Sequence, residues 1–213
     1  MDIYWYGQAC FKIKGKQATA LIDPYDPAML GIKLPKDTSA DMVLKTHDHA
    51  DHSNLDVAGE SAIKITGPGE YEVKGIATTG VMTYHDNQKG AERGKNTVYN
   101  LEVDGVNIVH LGDLGQILEE DQLEEIGSVD ILMIPVGGVY TVDAKDAARI
   151  VAQLDPKIVI PMHYKLEDLK VELEPLENFL KEMSVENPVP QSKLAITKDK
   201  LPEEMQVVVL SKA

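Results

Sequence analysis

Short apolar runs separated by turn residues divide the chain into strands before any helix is predicted. Ile3–Tyr6, Cys10–Lys14 and Ala18–Asp23 read as three successive strands, with Lys14-Gly15-Lys16 as the turn between the second and third. A loop punctuated by Pro24, Pro27 and Pro35 follows. Met42-Val43-Leu44 then reads as a buried strand running directly into Thr46-His47-Asp48-His49-Ala50-Asp51-His52. Further strands are predicted at Ile63–Thr66, Glu72–Val73 and Ile76–Thr83, with Gly67-Pro68-Gly69-Glu70 as a turn. Asp104-Gly105 marks a hairpin between Thr97–Val103 and Val106–Leu111. Val129–Pro135, Ile158–Ile160 and Gln206–Leu210 complete the strand set.

Helical spacing is confined to a few places. Leu118–Ile126 and Leu176–Met183 read as short helices. Asp143 to Leu154 carries apolar side chains at Ala144, Ala147, Ala148, Val151 and Leu154, with Asp143 as the predicted N-cap. Strand-rich halves, each finished by helices, predict an α+β fold in which two sheets pack together with helices outside, an αββα sandwich. No repeat, low-complexity tract or Gly/Ser linker interrupts the chain, so residues 1–213 are expected to form a single domain.

Composition narrows the setting. No apolar run approaches the length of a membrane span; the longest, around Ile131–Val136, suits a buried strand. Cys10 is the only cysteine, which excludes an internal disulfide, and it reads as a small hydrophobe beside a strand's apolar face. With no basic, apolar start to the chain, the expected compartment is the cytoplasm. A formal net charge of −14 argues against broad electrostatic binding of nucleic acid or anionic membranes.

The chemistry is concentrated in the histidines, of which the chain has six: His47, His49, His52, His85, His110 and His163. Three of them fall in the run His47-x-His49-x-Asp51-His52. In extended chain leaving a strand, residues two apart face the same side, so His47 and His49 can grip one ion. Once the chain turns, Asp51 and His52 can point toward a second. Imidazole and carboxylate together suit Zn²⁺ and also accept Mn²⁺ or Fe²⁺. The other three histidines sit at or just beyond predicted strand ends or beside a Gly-Asp pair, where they can converge on one sheet edge.

In its ordered features the chain resembles the metallo-β-lactamase superfamily: Asp23-Pro24 after the first strands, the HxHxDH run at 47–52, His85 ahead of the hairpin, Gly112-Asp113 at its end, and His163 after a late strand. Trp5-Tyr6-Gly7-Gln8-Ala9-Cys10-Phe11, Pro135-Val136-Gly137-Gly138-Val139-Tyr140-Thr141 and Pro161-Met162-His163-Tyr164 are similar to the small Zn-dependent hydrolases related to L-ascorbate-6-phosphate lactonase and N-acyl-phosphatidylethanolamine phospholipase D. The resemblance implies a first metal held by His47, His49 and His85, and a second by Asp51, His52 and His163, with Asp113 bridging them. A hydroxide shared by two divalent ions, zinc foremost, would be the nucleophile, and Asp51 would orient it. Two such ions outweigh two carboxylates and a hydroxide, which leaves the pocket net positive and suited to anionic small-molecule substrates.

Several roles stay open at this level. His110, three residues before Asp113, competes with His85 for the third position on the first metal; the alternative for it is to orient a ligand from behind, or to be a satisfied core residue. Arg93, after His85, can bind a phosphate or carboxylate bidentately, or simply be solvated. Tyr140 can donate a hydrogen bond to a developing oxyanion, or serve as a rim residue. Trp5 and Tyr164 read as packing residues. By resemblance, Asp113 argues against a dedicated β-lactamase and His49 against the flavin-dependent di-iron reductases. The short gaps from His52 to His85 and from Asp113 to His163 leave no room for an inserted nuclease domain. The expected activity is hydrolysis of a small ester, lactone or phosphodiester; the alternatives are a mono-iron dioxygenase, or nuclease or β-lactamase side activity of the same site.

Overall fold

A computed structural model describes all 213 residues. Two mixed sheets lie face to face. The first is built from β1 (Asp2–Gly7), β2 (Cys10–Lys14), β3 (Thr19–Ile22), β4 (Met42–Leu44), β5 (Ile63–Ile65) and β12 (Leu194–Ala195), in the order β12-β1-β2-β3-β4-β5. The second contains β6 (Gly69–Val73), β7 (Ile76–Tyr84), β8 (Lys95–Val103), β9 (Val106–His110), β10 (Ile131–Pro135), β11 (Ile158–Met162) and β13 (Gln206–Val207), in the order β13-β11-β10-β9-β8-β7-β6.

Alternation explains how the first sheet is buried on both faces. Ala20 and Ile22 of β3, and Met42 and Leu44 of β4, point into the large core between the sheets. Leu21 and Val43, one residue out of phase, join a smaller cluster on the opposite face with Tyr6, Cys10, Tyr25 and Leu30. Each fully buried Leu or Ile there contributes about 1.5–3 kcal/mol. Where helices were expected to cover this face, the cover is irregular: the four-residue α1 (Pro27–Leu30), a 3₁₀ turn at Leu55–Ala58 and loops. Pro27 opens α1 at its first position, and Gly31, left-handed at φ 81°, ends it after one turn. The regular helices are α2 (Glu120–Ile126), α3 (Ala144–Leu154) and α4 (Leu176–Glu182). Asp143 caps α3 as predicted, its side chain accepting from the Asp146 amide.

A few elements depart from the sequence reading. Gly69 and Glu70 begin β6 rather than belonging to a turn, since Gly69 pairs with Gly80. The closing strand is only Gln206–Val207, and Leu210 makes an isolated bridge to Gln191. The two-residue β12 carries too little pattern to be seen in advance.

Topology decides where the chemistry goes. In the second sheet β9, β10 and β11 are parallel, and β7 and β9, both antiparallel to β8, run the same way. The chain therefore leaves β7, β9 and β11 at one edge. In the first sheet β3 and β4 are parallel and end together. Two hydrogen bonds join the sheets at that edge: the Thr97 amide donates to the Thr46 carbonyl at 2.9 Å, and the Tyr99 hydroxyl to the Lys45 carbonyl at 2.9 Å.

Candidate metal centre

Every side chain of the centre follows a strand end at this shared edge. Asp23 follows β3, and the run His47–His52 follows β4. His85 follows β7, Asp113 comes three residues after β9, and His163 follows β11. The ligand atoms of His47, His49 and His85 lie within 4.8 Å of one another, and so do those of Asp51, His52, Asp113 and His163. Asp113 joins the two groups. Its Oδ2 atom lies 3.2 Å from His163 Nε2, 3.3 Å from His52 Nε2, 3.4 Å from His85 Nε2 and 3.9 Å from His47 Nε2. The His47 ring sits 4.2–4.8 Å, centroid to centroid, from those of His49, His52 and His85.

These residues fit a metal better than they fit one another. Asp113 Oδ1, His52 Nε2, His85 Nδ1 and His163 Nδ1 are buried without a hydrogen-bond partner. Orphaned polar atoms of this kind cost about 1–3 kcal/mol each, and cations would satisfy those that face them. The ring orientations of two ligands are already fixed from behind. Thr46 Oγ1 donates to Asp23 Oδ2 at 2.7 Å, so it accepts from His47 Nδ1 at 3.0 Å. Asp23 Oδ2 also takes His52 Nδ1 at 2.8 Å. Both histidines thus carry their proton on Nδ1 and turn Nε2 toward the centre. In the sequence Asp23 enters only with Pro24 as a feature of the resemblance; its contacts to His52 and, through Thr46, to His47 are not visible in one dimension.

Without metal, the electrostatics divide the histidines. Burial pushes the His47 imidazole down to about 3 and also lowers that of His85, so both are neutral and ready to donate a lone pair. Burial would depress His52 as well, but Asp113 and Asp23 flank it and raise it well above 6.5. Burial opposes ionisation of Asp113 too, yet His163 and His52 hold its carboxyl well below the usual range.

His85, and not His110, is grouped with His47 and His49. His110 is fully buried, with Nε2 donating to the Ala9 carbonyl at 2.8 Å and Nδ1 accepting from the Gly112 amide at 3.1 Å. It therefore braces the backbone ahead of Asp113 and orients no ligand side chain. Trp5 and Tyr164 pack with ring centroids 5.0 Å apart, and Cys10 is buried in the smaller apolar cluster.

Two close backbone approaches set the ligand positions. A Cβ on Gly115 would collide with the His85 backbone, and one on Gly137 with the His163 carbonyl oxygen. Gln8 is a further contributor that the spacing of histidines did not single out. It is fully buried in the β1–β2 turn, and its Nε2 donates to Asp51 Oδ2 at 3.4 Å. Its carbonyl accepts from Trp5 Nε1 at 2.9 Å and from the His163 amide at 3.1 Å.

A cavity of about 500 Å³ opens over the centre, lined by His49, Asp51, His85, Asp113 and His163 together with Met29, Arg93, Tyr140 and Val171. Arg93 and Tyr140 meet at its mouth, the guanidinium carbon 5.8 Å from the ring centroid. The loop carrying Arg93 is organised by Asp86, whose carboxylate accepts the amides of Gln88, Gly90, Glu92 and Arg93 at 2.7–3.0 Å.

A family model described as the β-lactamase superfamily domain matches residues 2–163. A UPF0173 metal-dependent hydrolase of Thermoplasma volcanium is 32% identical over 204 residues, covering 83% of this chain and 88% of that protein. The chain belongs to the metallo-β-lactamase superfamily. A second UPF0173 metal-dependent hydrolase, from Thermococcus onnurineus, is 31% identical and covers 77% of this chain and 84% of its own. Among solved structures, a Thermotoga maritima chain assigned to the Zn-dependent hydrolases of the superfamily superposes with a TM-score of 0.79 at 36% identity, covering 98% of this chain and 97% of its own. As a metallo-β-lactamase superfamily member with relatives of this kind, the protein is a metal-dependent hydrolase, and its His/Asp cluster has the donor set to hold a metal. No helix is long and apolar enough to cross a membrane.

Proposed function

We propose that the centre holds two divalent cations, zinc foremost with manganese or iron accommodated, and that the chain hydrolyses a small anionic ester, lactone or phosphodiester. The observation that carries this reading is Asp113 Oδ2, which stands within 3.2–3.9 Å of four imidazoles drawn from both ligand groups. One carboxylate so placed can serve two ions, with His47, His49 and His85 on one and Asp51, His52 and His163 on the other. When bound, such ions supply Lewis acidity and a water-derived nucleophile usable at neutral pH.

The chain's own residues do the rest. Asp51, half-buried at the edge of the cavity, would orient the attacking water between the two groups; His52 holds its carboxyl below the usual range despite burial, so it is ionised and accepts hydrogen bonds. Tyr140, at the mouth, can donate its hydroxyl to the oxyanion that develops on the substrate. Arg93 beside it offers a planar, permanently charged fork to an anionic substituent. The net charge of −14 supports a small molecule rather than nucleic acid as the partner, and a lone buried cysteine is consistent with action in the cytoplasm.

The deciding experiment is elemental analysis of protein purified without chelators or metal-affinity resins, followed by a screen of lactones, esters and phosphodiesters. About two equivalents of zinc or manganese per chain with hydrolysis are expected. One iron per chain with oxygen consumption would replace this reading with a dioxygenase, and no metal after reconstitution would end it.

A further inference from the structure

The cavity over the metal centre has a neighbour. A second cleft of about 390 Å³ shares Asp48, His49 and Arg93 with it. The two lobes differ in chemistry. The first takes in Met29, Ala50, Tyr140 and Val171, of which Met29 and Tyr140 are large apolar or aromatic side chains left 44% and 39% exposed. The second has Pro68 as its one apolar side chain and is otherwise polar, with Lys45, Arg93 and Lys95, the Asp48 carboxylate, and His47 and His49 among threonines and glycines.

Positive charge gathered in one place is informative on a chain with 35 acidic and 21 basic residues. Part of that charge is compensated, because Lys45 pairs with Asp48. Arg93 has only Glu92 within reach, at 3.8 Å and a side-chain exposure of 59%. Lys95, exposed at the start of β8, pairs with no carboxylate. The Asp86 loop holds the Arg93 backbone, and Tyr140 flanks its guanidinium, so the arginine side chain borders both lobes. A guanidinium and an unpaired lysine lining one polar cleft suit a tetrahedral oxyanion.

We infer that the second lobe is an anion subsite for a phosphate group that the substrate carries away from its scissile bond. The substrate class is then bipartite: a phosphate monoester seated on Arg93 and Lys95, joined to an apolar portion that lies against Met29 and Tyr140 across the metal centre. This rests on the hydrolase reading above for the position of the scissile bond, but the subsite itself is a property of Arg93, Lys95 and Lys45.

The test is calorimetric titration of the full chain with inorganic phosphate and with phenylphosphonate, which has no ester to cleave. It is done with metal-loaded and with chelator-treated protein, alongside Arg93→Ala, Lys95→Ala and Met29→Ala variants. Metal content is measured on every sample. Loss of one charge-assisted contact is expected to raise the phosphate Kd about tenfold in Arg93→Ala and in Lys95→Ala, with or without metal. Lys95 is exposed, so its variant keeps the parent melting temperature. Met29→Ala is expected to weaken phenylphosphonate about fourfold, the value of roughly one methylene withdrawn from water, and to leave inorganic phosphate unchanged. Phosphate affinities insensitive to Arg93 and Lys95, or phosphate bound only when metal is present, would overturn the subsite. Equal effects of Met29→Ala on both probes would overturn the bipartite arrangement. Absent metal with phosphate binding that still depends on Lys95 would sink the hydrolase reading and leave the subsite standing.

Discussion

His52 Nδ1 lies 2.8 Å from Asp23 Oδ2, with both side chains fully buried. The same oxygen accepts from Thr46 Oγ1, which in turn receives His47 Nδ1. One carboxylate at the end of β3 therefore sets the ring orientation of a ligand in each group. Asp23→Ala should lower metal affinity at both groups, by about 10–100-fold, measured by competition with a chromogenic chelator. Loss confined to the His52 group would show that Thr46 holds His47 without Asp23.

The protonation pattern predicts how the metal-free chain responds to pH. His52 is raised above 6.5, so its charged form contributes stability that is fully present below about 6.5 and lost as pH rises through the raised value. His47 is pushed down to about 3, so its neutral form contributes stability that is present above about 6.5 and lost as pH falls toward 3. Melting temperatures of chelator-treated protein should fall on both sides of the neutral region, and His52→Gln should remove the alkaline limb. Metal loading must displace the His52 proton, so affinity should rise with pH and calorimetry should detect proton release in buffers of different ionisation heat. A pH-independent affinity between 6 and 8 would count against a charged His52.

Much of this was legible in one dimension, and the parts that were not share a cause. Short apolar runs bounded by turn residues located β1 to β4, and the HxHxDH run announced itself because all its members leave one strand. His85, Asp113 and His163 could be gathered only by resemblance, since their convergence depends on β7, β9 and β11 ending at one sheet edge. The choice between His85 and His110 turned on direction. His110 is the last residue of β9, where its ring is committed to backbone partners. Gln8 and Asp23 act through contacts separated by 43 and 29 residues, and no local pattern encodes those.

Gln8 links the N-terminal turn to the second ligand group. Its amide donates to Asp51, and its carbonyl holds the amide of His163. Gln8→Ala deletes the first contact and keeps the second. It should lower kcat several-fold while KM and the His47-group metal are retained, and Gln8→Asn should not rescue it, because the shorter side chain falls short of a contact already 3.4 Å long. Steady-state kinetics with metal analysis would check this; an unchanged kcat would reduce Gln8 to a packing role.

Gly137 shows how tightly His163 is placed. Any Cβ there meets the His163 carbonyl oxygen, a backbone atom without freedom to swing aside. His163 itself sits at φ 52°, in the left-handed region. Gly137→Ala should therefore displace His163 and cost about one equivalent of bound metal, with the His47 group still filled. Full metal content in a folded Gly137→Ala protein would mean that the turn yields more easily than its contacts indicate.

Asp86 acts one residue from a ligand yet faces away from the metal centre. Burial opposes its ionisation, but four backbone amides outweigh it and bring the carboxyl down to about 2. Its contribution is thus present above about 4 and lost as pH falls toward 2. Asp86→Asn is the informative change, since an amide nitrogen turned toward Glu92 and Arg93 would oppose donor to donor. The 87–93 segment should exchange its amide hydrogens faster, while metal content stays at the parent level because His85 is held separately by Gly94 and Gly115. With Arg93 released from its fixed position, KM for an anionic substrate should rise and kcat should change little. A fall in kcat without a change in KM would place the loop's role at the reacting bond instead of at the bound anion.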